Sequence, residues 1–298
     1  MRRGIKMERN DAEERERLRA SGEEDDDDEE VEEYNVCKIR RDWERGSESG
    51  SLLARSTLYD MDSGDPPADL PLFTKLYTLA QILGILSVVL VGVWLGIYRG
   101  GFAWSTPLEQ FNWHPLLMTL GLVFLYANGA LVYRGFRSER KKKLKVAHAL
   151  VMIGALVCSI VGLVAVFQYH ATEGYPDMRS LHSWLGLSTV ILFACQWLAG
   201  LLTFLFPGLR SSLRSAYLPI HQFFGMFIFA GAVTSALIGL TEKAAFIKDI
   251  TSPEKVLINV AGLSVALFGG LVAYLLSQHK FRRRTTEDEV LLTDTVLE

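Results

Sequence analysis

Six runs of apolar residues, each about 20 or more long, fill the chain beyond its first quarter, near 77–98, 112–133, 146–168, 181–206, 217–240 and 256–277. At 1.5 Å of rise per residue, about 20 helical residues cross the ~30 Å hydrocarbon core of a bilayer. The fourth run is interrupted by nothing more polar than Gln196 and a few serines and threonines. A transmembrane β-barrel would instead show alternating segments of about 10 residues. In lipid, where every backbone polar group needs an internal partner, the pattern predicts an all-α membrane protein of six transmembrane helices.

Charge lies outside these runs and divides the chain. Residues 1–71 hold 22 acidic and 12 basic residues, whereas 72–298 hold 12 acidic and 19 basic ones. The block "SGEEDDDDEEVEE" repels itself, and "GSESGSLL" and "DSGDPPADLP" have linker composition, so 1–71 reads as a disordered acidic tail. The N-terminal stretch has no apolar h-region, and no cleavable secretory signal is expected. Residues 72–278 form the membrane domain and 279–298 a C-terminal tail. The three cysteines, Cys37, Cys158 and Cys195, show no CxxC spacing, so neither a zinc ribbon nor a redox dithiol is encoded.

Lysine and arginine set the orientation. The connection "YRGFRSERKKKLK" carries seven, Arg210 and Arg214 add two, "HKFRRR" four and Lys75 one. The opposite side holds only Arg99, Arg179, Lys243, Lys248 and Lys255. The basic side is therefore cytosolic, with both termini on it.

Four of the six histidines fall inside the runs: His114, His148, His182 and His221. An ionisable group in a membrane segment is costly, and its default meaning is functional. Each is expected in the first turn or two of its span, and the spans are consecutive, the second to the fifth. Alternate antiparallel helices begin on the same side. His114 and His182 are thus expected near the non-cytosolic face, and His148 and His221 near the cytosolic face, as two pairs in a central four-helix bundle.

Two facing imidazoles at one depth can supply both axial ligands of a haem iron. Gly121, Gly129, Gly154, Gly186 and Gly225 would leave room for the macrocycle, and the positive ends of helix N-termini would favour its propionates. Asn112 and Ser180 are the expected N-caps of the second and fourth spans. Ligands one to two turns inside the core put the sites roughly 15–20 Å apart. Other readings compete. A membrane histidine can be an interhelical hydrogen-bond partner. A proton relay would use acidic residues, which the spans almost lack, Glu242 lying at the outer end of the fifth. Zinc would find only two histidines per site and an incomplete shell. Two matched pairs favour a bis-histidine haem.

The segments "FNWHPLLM", "KVAHAL", "MRSLHSWLG" and "LPIHQFFG", in this order and spacing, with "GVWLGIYRGGFAW", "YHATEGYPDMRSLHSW" and "LFPGLRSSLRSAYLPIH", resemble the cytochrome b561 family over about residues 72–278. The resemblance implies a six-span protein with two haem b groups per chain, which passes electrons from cytosolic ascorbate across a membrane. It implies that Lys141 and Lys145, seven and three residues before His148, lie at the cytosolic ascorbate site beside the inner haem. Arg134, after "LVY", and Arg214, seven before His221, match two more positions there. It places His170, twelve before His182, near the outer substrate site. Asp177, Met178, Arg179 and Ser180 correspond to a segment over the outer haem, and Glu242 to a family glutamate there.

Asp177 and Arg179 depart from the asparagine and tyrosine common at those positions, which leaves the outer substrate open. The implied acceptors are monodehydroascorbate, whose reduction regenerates vesicular ascorbate, or ferric iron. A homodimer in a secretory-vesicle or endolysosomal membrane is also implied, and no nucleic-acid partner is expected. Composition alone would make the lysine run a positive-inside signal, His170 a loop histidine and His279 a membrane-edge residue. "EDEVLL", Glu287 to Leu292, looks like an acidic dileucine sorting signal, a pattern that also arises by chance. The rival functions are a haem-free six-span proton-coupled transporter, with titrating histidines, and a scaffold whose acidic tail binds partners.

Overall fold

The computed structural model describes residues 70–205 and 209–282. These belong to one compact unit, Ala68–Arg283. The expected acidic tail up to residue 69 and the "EDEVLL" segment lie outside the described residues. The helices are α1 (Leu70–Tyr98), α2 (Pro107–Met118), α3 (Tyr126–Gly135), α4 (Lys141–Glu173), α5 (Leu181–Gly200), α6 (Ser211–Ala245) and α7 (Pro253–Ser277). A π-helical stretch, Thr119–Leu125, joins α2 to α3 into one span, and another, Leu201–Leu205, continues α5. Six helices are thus long and apolar enough to cross a membrane, and no strand occurs among the described residues.

The helices overrun the apolar runs, chiefly on the third span, Lys141–Glu173, and the fifth, Ser212–Ala245. Polar residues extend a helix beyond the lipid as readily as apolar ones, so hydropathy under-reads its ends. One consequence is a correction. His114, His148 and His221 lie two to three turns inside their helices, and only His182 sits in a first turn.

Local chemistry explains the breaks. Pro115 has no N–H to give, and the Thr119 hydroxyl donates to Pro115 O at 2.8 Å, both of which loosen α2 where the π-helical stretch begins. Gly174, at φ +71°, ends α4 by donating its N–H to His170 O. Ser180 caps α5 as expected, in a reciprocal box with Ser183. Asn112 does not cap the second span. That helix starts at Pro107 behind Thr106, so Asn112 lies inside it, fully buried, and donates to Arg99 O (2.9 Å) and Gly101 O (2.7 Å). It closes the turn after α1.

The core is the expected four-span bundle. Leu122, Val123 and Tyr126 of the second span, Met152 and Ala155 of α4, Val190 and Phe193 of α5, and Ile228, Phe229 and Ala232 of α6 form one cluster, completed by Val265, Phe268 and Val272 of α7. The outer faces expose Ile82, Leu150, Phe227 and Leu263, as lipid contact demands. The glycines divide differently from expectation. A Cβ at Gly121 would meet Cys158 Cβ at 2.7 Å, at Gly129 Met152 Cε at 2.9 Å and at Gly186 Ser235 Oγ at 3.0 Å. Those three bring helices together rather than clear a cofactor. Gly154 and Gly225 meet nothing closer than 3.9 Å.

Candidate functional site

The bundle brings the four histidines together in two pairs. The rings of His114 and His182 stand 6.0 Å apart, centroid to centroid, with planes at 86°; those of His148 and His221 stand 6.1 Å apart at 69°. All four are half-buried. His114 Nδ1 donates to Gly162 O (3.1 Å), His148 Nδ1 to Gly129 O (2.7 Å) and His182 Nδ1 to Ser235 O (2.9 Å). Such bonds fix the tautomer and leave the Nε2 lone pair for a ligand bond. His221 differs. Its Nδ1 is buried without a partner, while Gln196 Nε2 donates to its carbonyl at 2.6 Å.

Register gives the separation of the pairs. On α4, His148 belongs to one pair and Gly162 accepts from the other; on α6, His221 and Ser235 do the same. Both intervals are fourteen residues, or about 21 Å of helix, just beyond the expected range. The core aromatics Tyr126, Phe193 and Phe229 lie between, with ring centroids 5.0 Å and 5.9 Å from Tyr126.

Around the inner pair, Tyr133 lies 5.9 Å from His148, and Phe204 and Tyr217 lie 5.3 and 6.1 Å from His221. Lys141, Lys145 and His148 share a face of α4, and Arg214, Tyr217 and His221 a face of α6. The cations therefore rise from the helical turns directly before the inner histidines. Arg134 stands apart. It is 8% exposed, and its guanidinium donates to Gln278 O (2.6 Å) and to Leu276 O, closing the end of α7.

At the outer end, His170 Nδ1 donates to Asp177 Oδ1 at 2.7 Å. Met178 holds φ +56° at a non-glycine position and turns the chain toward the Ser180 cap two residues before His182. Arg179 is exposed and Glu242 half-buried. Sequence reasoning passed over Phe111, Tyr133, Phe204, Tyr217, Lys243, Gly200 and Gly239. Phe111 and Tyr217, three and four residues before a histidine, share its helix face and were within reach of a periodicity argument. The others come from different helices or are unremarkable in sequence.

The residues fit a haem at each pair. Two metal–imidazole bonds of about 2 Å with two half-rings fill a separation of about 6 Å. Among the described residues no group of three or more His, Cys, Asp or Glu could hold a metal, so each site offers two protein ligands. That suits an iron whose other ligands belong to a macrocycle. Gly200 and Gly239 leave the backbone against His221 and His182, where a Cβ would stand 3.0 and 2.7 Å from Cε1.

The model of eukaryotic cytochrome b561 matches residues 113–247, a stretch that contains all four histidines. The transmembrane ascorbate-dependent reductase CYB561 of Homo sapiens is 48% identical over 231 residues, covering 76% of this chain and 90% of the relative. The lysosomal membrane ascorbate-dependent ferrireductase CYB561A3 of Mus musculus is 42% identical over 221 residues, 71% and 90% of the two chains. The plasma membrane ascorbate-dependent reductase CYBRD1 of Xenopus laevis is 38% identical over 231 residues, 75% and 82%. An all-helical six-span bundle with this degree of identity over most of its length is an integral multi-pass membrane protein of the cytochrome b561 family.

Proposed function

We propose that this chain is an ascorbate-dependent reductase that carries electrons from cytosolic ascorbate, through two b haems, to an acceptor on the far side of its membrane. The observation that carries the reading is the matched pairing of His148 with His221 and His114 with His182, at ring separations of 6.1 and 6.0 Å. Haem b supplies reversible one-electron ferric/ferrous chemistry. The chain holds the imidazoles of His114, His148 and His182 in one tautomer, excludes water with the apolar core and keeps the two sites about 21 Å apart along the helices. No acid or base is needed between them.

Ascorbate is an anion at neutral pH. Lys141, Lys145 and Arg214 on the turns before His148 and His221 concentrate it and bond its oxygens. Arg134 supports this end by fixing the terminus of α7. On the opposite side, His170 with Asp177, Met178, Arg179, Ser180 and Glu242 forms the rim of the acceptor site. Monodehydroascorbate and ferric iron are the acceptor classes, the second in keeping with a relative named as a ferrireductase. The chain works as a homodimer in a secretory-vesicle or endolysosomal membrane, with both termini cytosolic. Residues 1–71 and 279–298 flank the electron-transfer domain, 72–278.

The test is the visible spectrum of the detergent-purified chain, oxidised and then reduced with ascorbate, with haem quantified. Two haems per chain with low-spin bands appearing under ascorbate support the reading. Absence of haem, or haem that survives replacement of all four histidines by alanine, overturns it and turns attention to proton-coupled transport.

A further inference from the structure

The outer pair has a cation that the reading above does not use. Lys243, at the outer end of α6, is half-buried, and its Nζ lies 3.9 Å from the centroid of Phe111. Two registers fix its place. Lys243 is one turn beyond Gly239, whose backbone lies against His182. Phe111 is one turn before His114, and the two rings are 6.2 Å apart. The ammonium therefore stands about one helical turn, ~5 Å, outward of both imidazoles.

This ammonium is poorly compensated. No carboxylate among the described residues lies within 4.0 Å of it, including Glu242 beside it in sequence. Two outer carboxylates are committed elsewhere. Glu254 takes Arg99 Nε at 2.7 Å and Trp94 Nε1 at 2.8 Å, and Asp177 takes His170. A cation held at a membrane face away from water is costly, and the faces of Phe111 and, more distantly at 5.8 Å, Phe246 return only part of that cost. The positive-inside bias also disfavours it on this side.

We infer that Lys243 completes an anion-binding site over the outer pair, its ammonium taking a carboxylate or enolate oxygen of a group held above His114 and His182, with Phe111 fixing its position. The inference rests on the electron-transfer reading above. The oxygen can belong to a propionate of the outer haem or to an anionic acceptor.

The experiment uses the full-length chain in nanodiscs, wild type against Lys243→Met and Lys243→Arg, since an apolar side chain at a membrane site leaves the fold least disturbed. Haem content and reduction by ascorbate in the wild type test the underlying reading separately. The variants are then compared in the midpoint potentials of both haems and in kcat and KM for ferricyanide, an anion, and hexaammineruthenium(III), a cation. If an anionic acceptor is the group held, Lys243→Met raises KM for ferricyanide, whose cyanide nitrogens accept from the ammonium as an oxygen would, about 10- to 100-fold, the loss of one charge-assisted hydrogen bond. In that case kcat and the KM of the cation hold, and Lys243→Arg restores binding. If a propionate supplies it, Lys243→Met lowers the outer midpoint potential or loses the outer haem, without discriminating between acceptors. Unchanged haem content, potentials and KM values in Lys243→Met overturn the inference.

Discussion

The backbone of Gly239 lies so close to the imidazole of His182 that a methyl group there would stand 2.7 Å from its Cε1. Gly239→Ala must push the ring out of its 6.0 Å pairing with His114. The expected result is one haem per chain in place of two and a loss of stability of about 1–3 kcal/mol, typical of overpacking. Haem quantification and thermal melting read both. Gly96→Ala, where nothing lies within 4 Å, is the neutral control.

Single histidine variants separate the two ends. On the proposed reading, in which electrons enter at the inner pair, His148→Ala should abolish reduction by cytosolic-side ascorbate. His114→Ala should leave the inner pair reducible and stop delivery to the outer acceptor. Oriented proteoliposomes, with ascorbate on one side and acceptor on the other, distinguish these from a common folding failure, in which both would lose both signals.

The proposed role of the inner cations is donor capture. Lys145→Gln and Arg214→Gln should each raise the ascorbate concentration for half-maximal reduction about 10-fold, the equivalent of ~1.4 kcal/mol, with little change in the maximal rate. The wild-type advantage should shrink with added salt, which screens the attraction between these cations and an anionic donor. Stopped-flow reduction at two ionic strengths is the measurement.

Asn112 carries structure rather than chemistry. Asn112→Leu leaves the carbonyls of Arg99 and Gly101 without their donor, at about 1–3 kcal/mol for each group that stays dry. A lower melting temperature is expected, with the ascorbate-reduced spectrum intact at low temperature. Loss of the spectrum at all temperatures would show that this turn also shapes the outer site.

A pH-dependent element lies outside the spans. The backbone N–H and the hydroxyl of Thr251 both donate to Asp249 Oδ1, at 2.8 and 2.7 Å, which holds that carboxyl below its ordinary value of 3.8. The opened turn therefore binds a proton more readily than the closed one. The turn is fully favoured above pH 3.8 and loosens as pH falls below it. Hydrogen exchange at the Thr251 amide should accelerate there beyond its intrinsic rate, and Asp249→Asn should flatten the dependence.

Much was legible in the sequence. Hydropathy gave six spans, and the consecutive placement of His114, His148, His182 and His221 gave their pairing, because antiparallel helices leave little freedom in depth. Ser180 was readable as a cap, since capping is a local interaction. Asn112 was misread because Pro107, an equally local signal, starts the helix a turn and a half earlier.

What only the tertiary structure decided was rotation and neighbourhood. Hydropathy constrains how deep a residue sits, but not which residues of other helices it meets. The carbonyls of Gly129, Gly162 and Ser235 that orient three imidazoles, the approach of Gly200 and Gly239, and the ammonium of Lys243 over Phe111 all join residues far apart in the chain. The π-helical stretch at Thr119–Leu125 shows why. It shifts the phase between the faces of α2 and α3, so a uniform 3.6-residue period cannot carry azimuth from His114 to Tyr126. Depth follows from solvation of the chain by lipid, whereas contact follows from packing among helices.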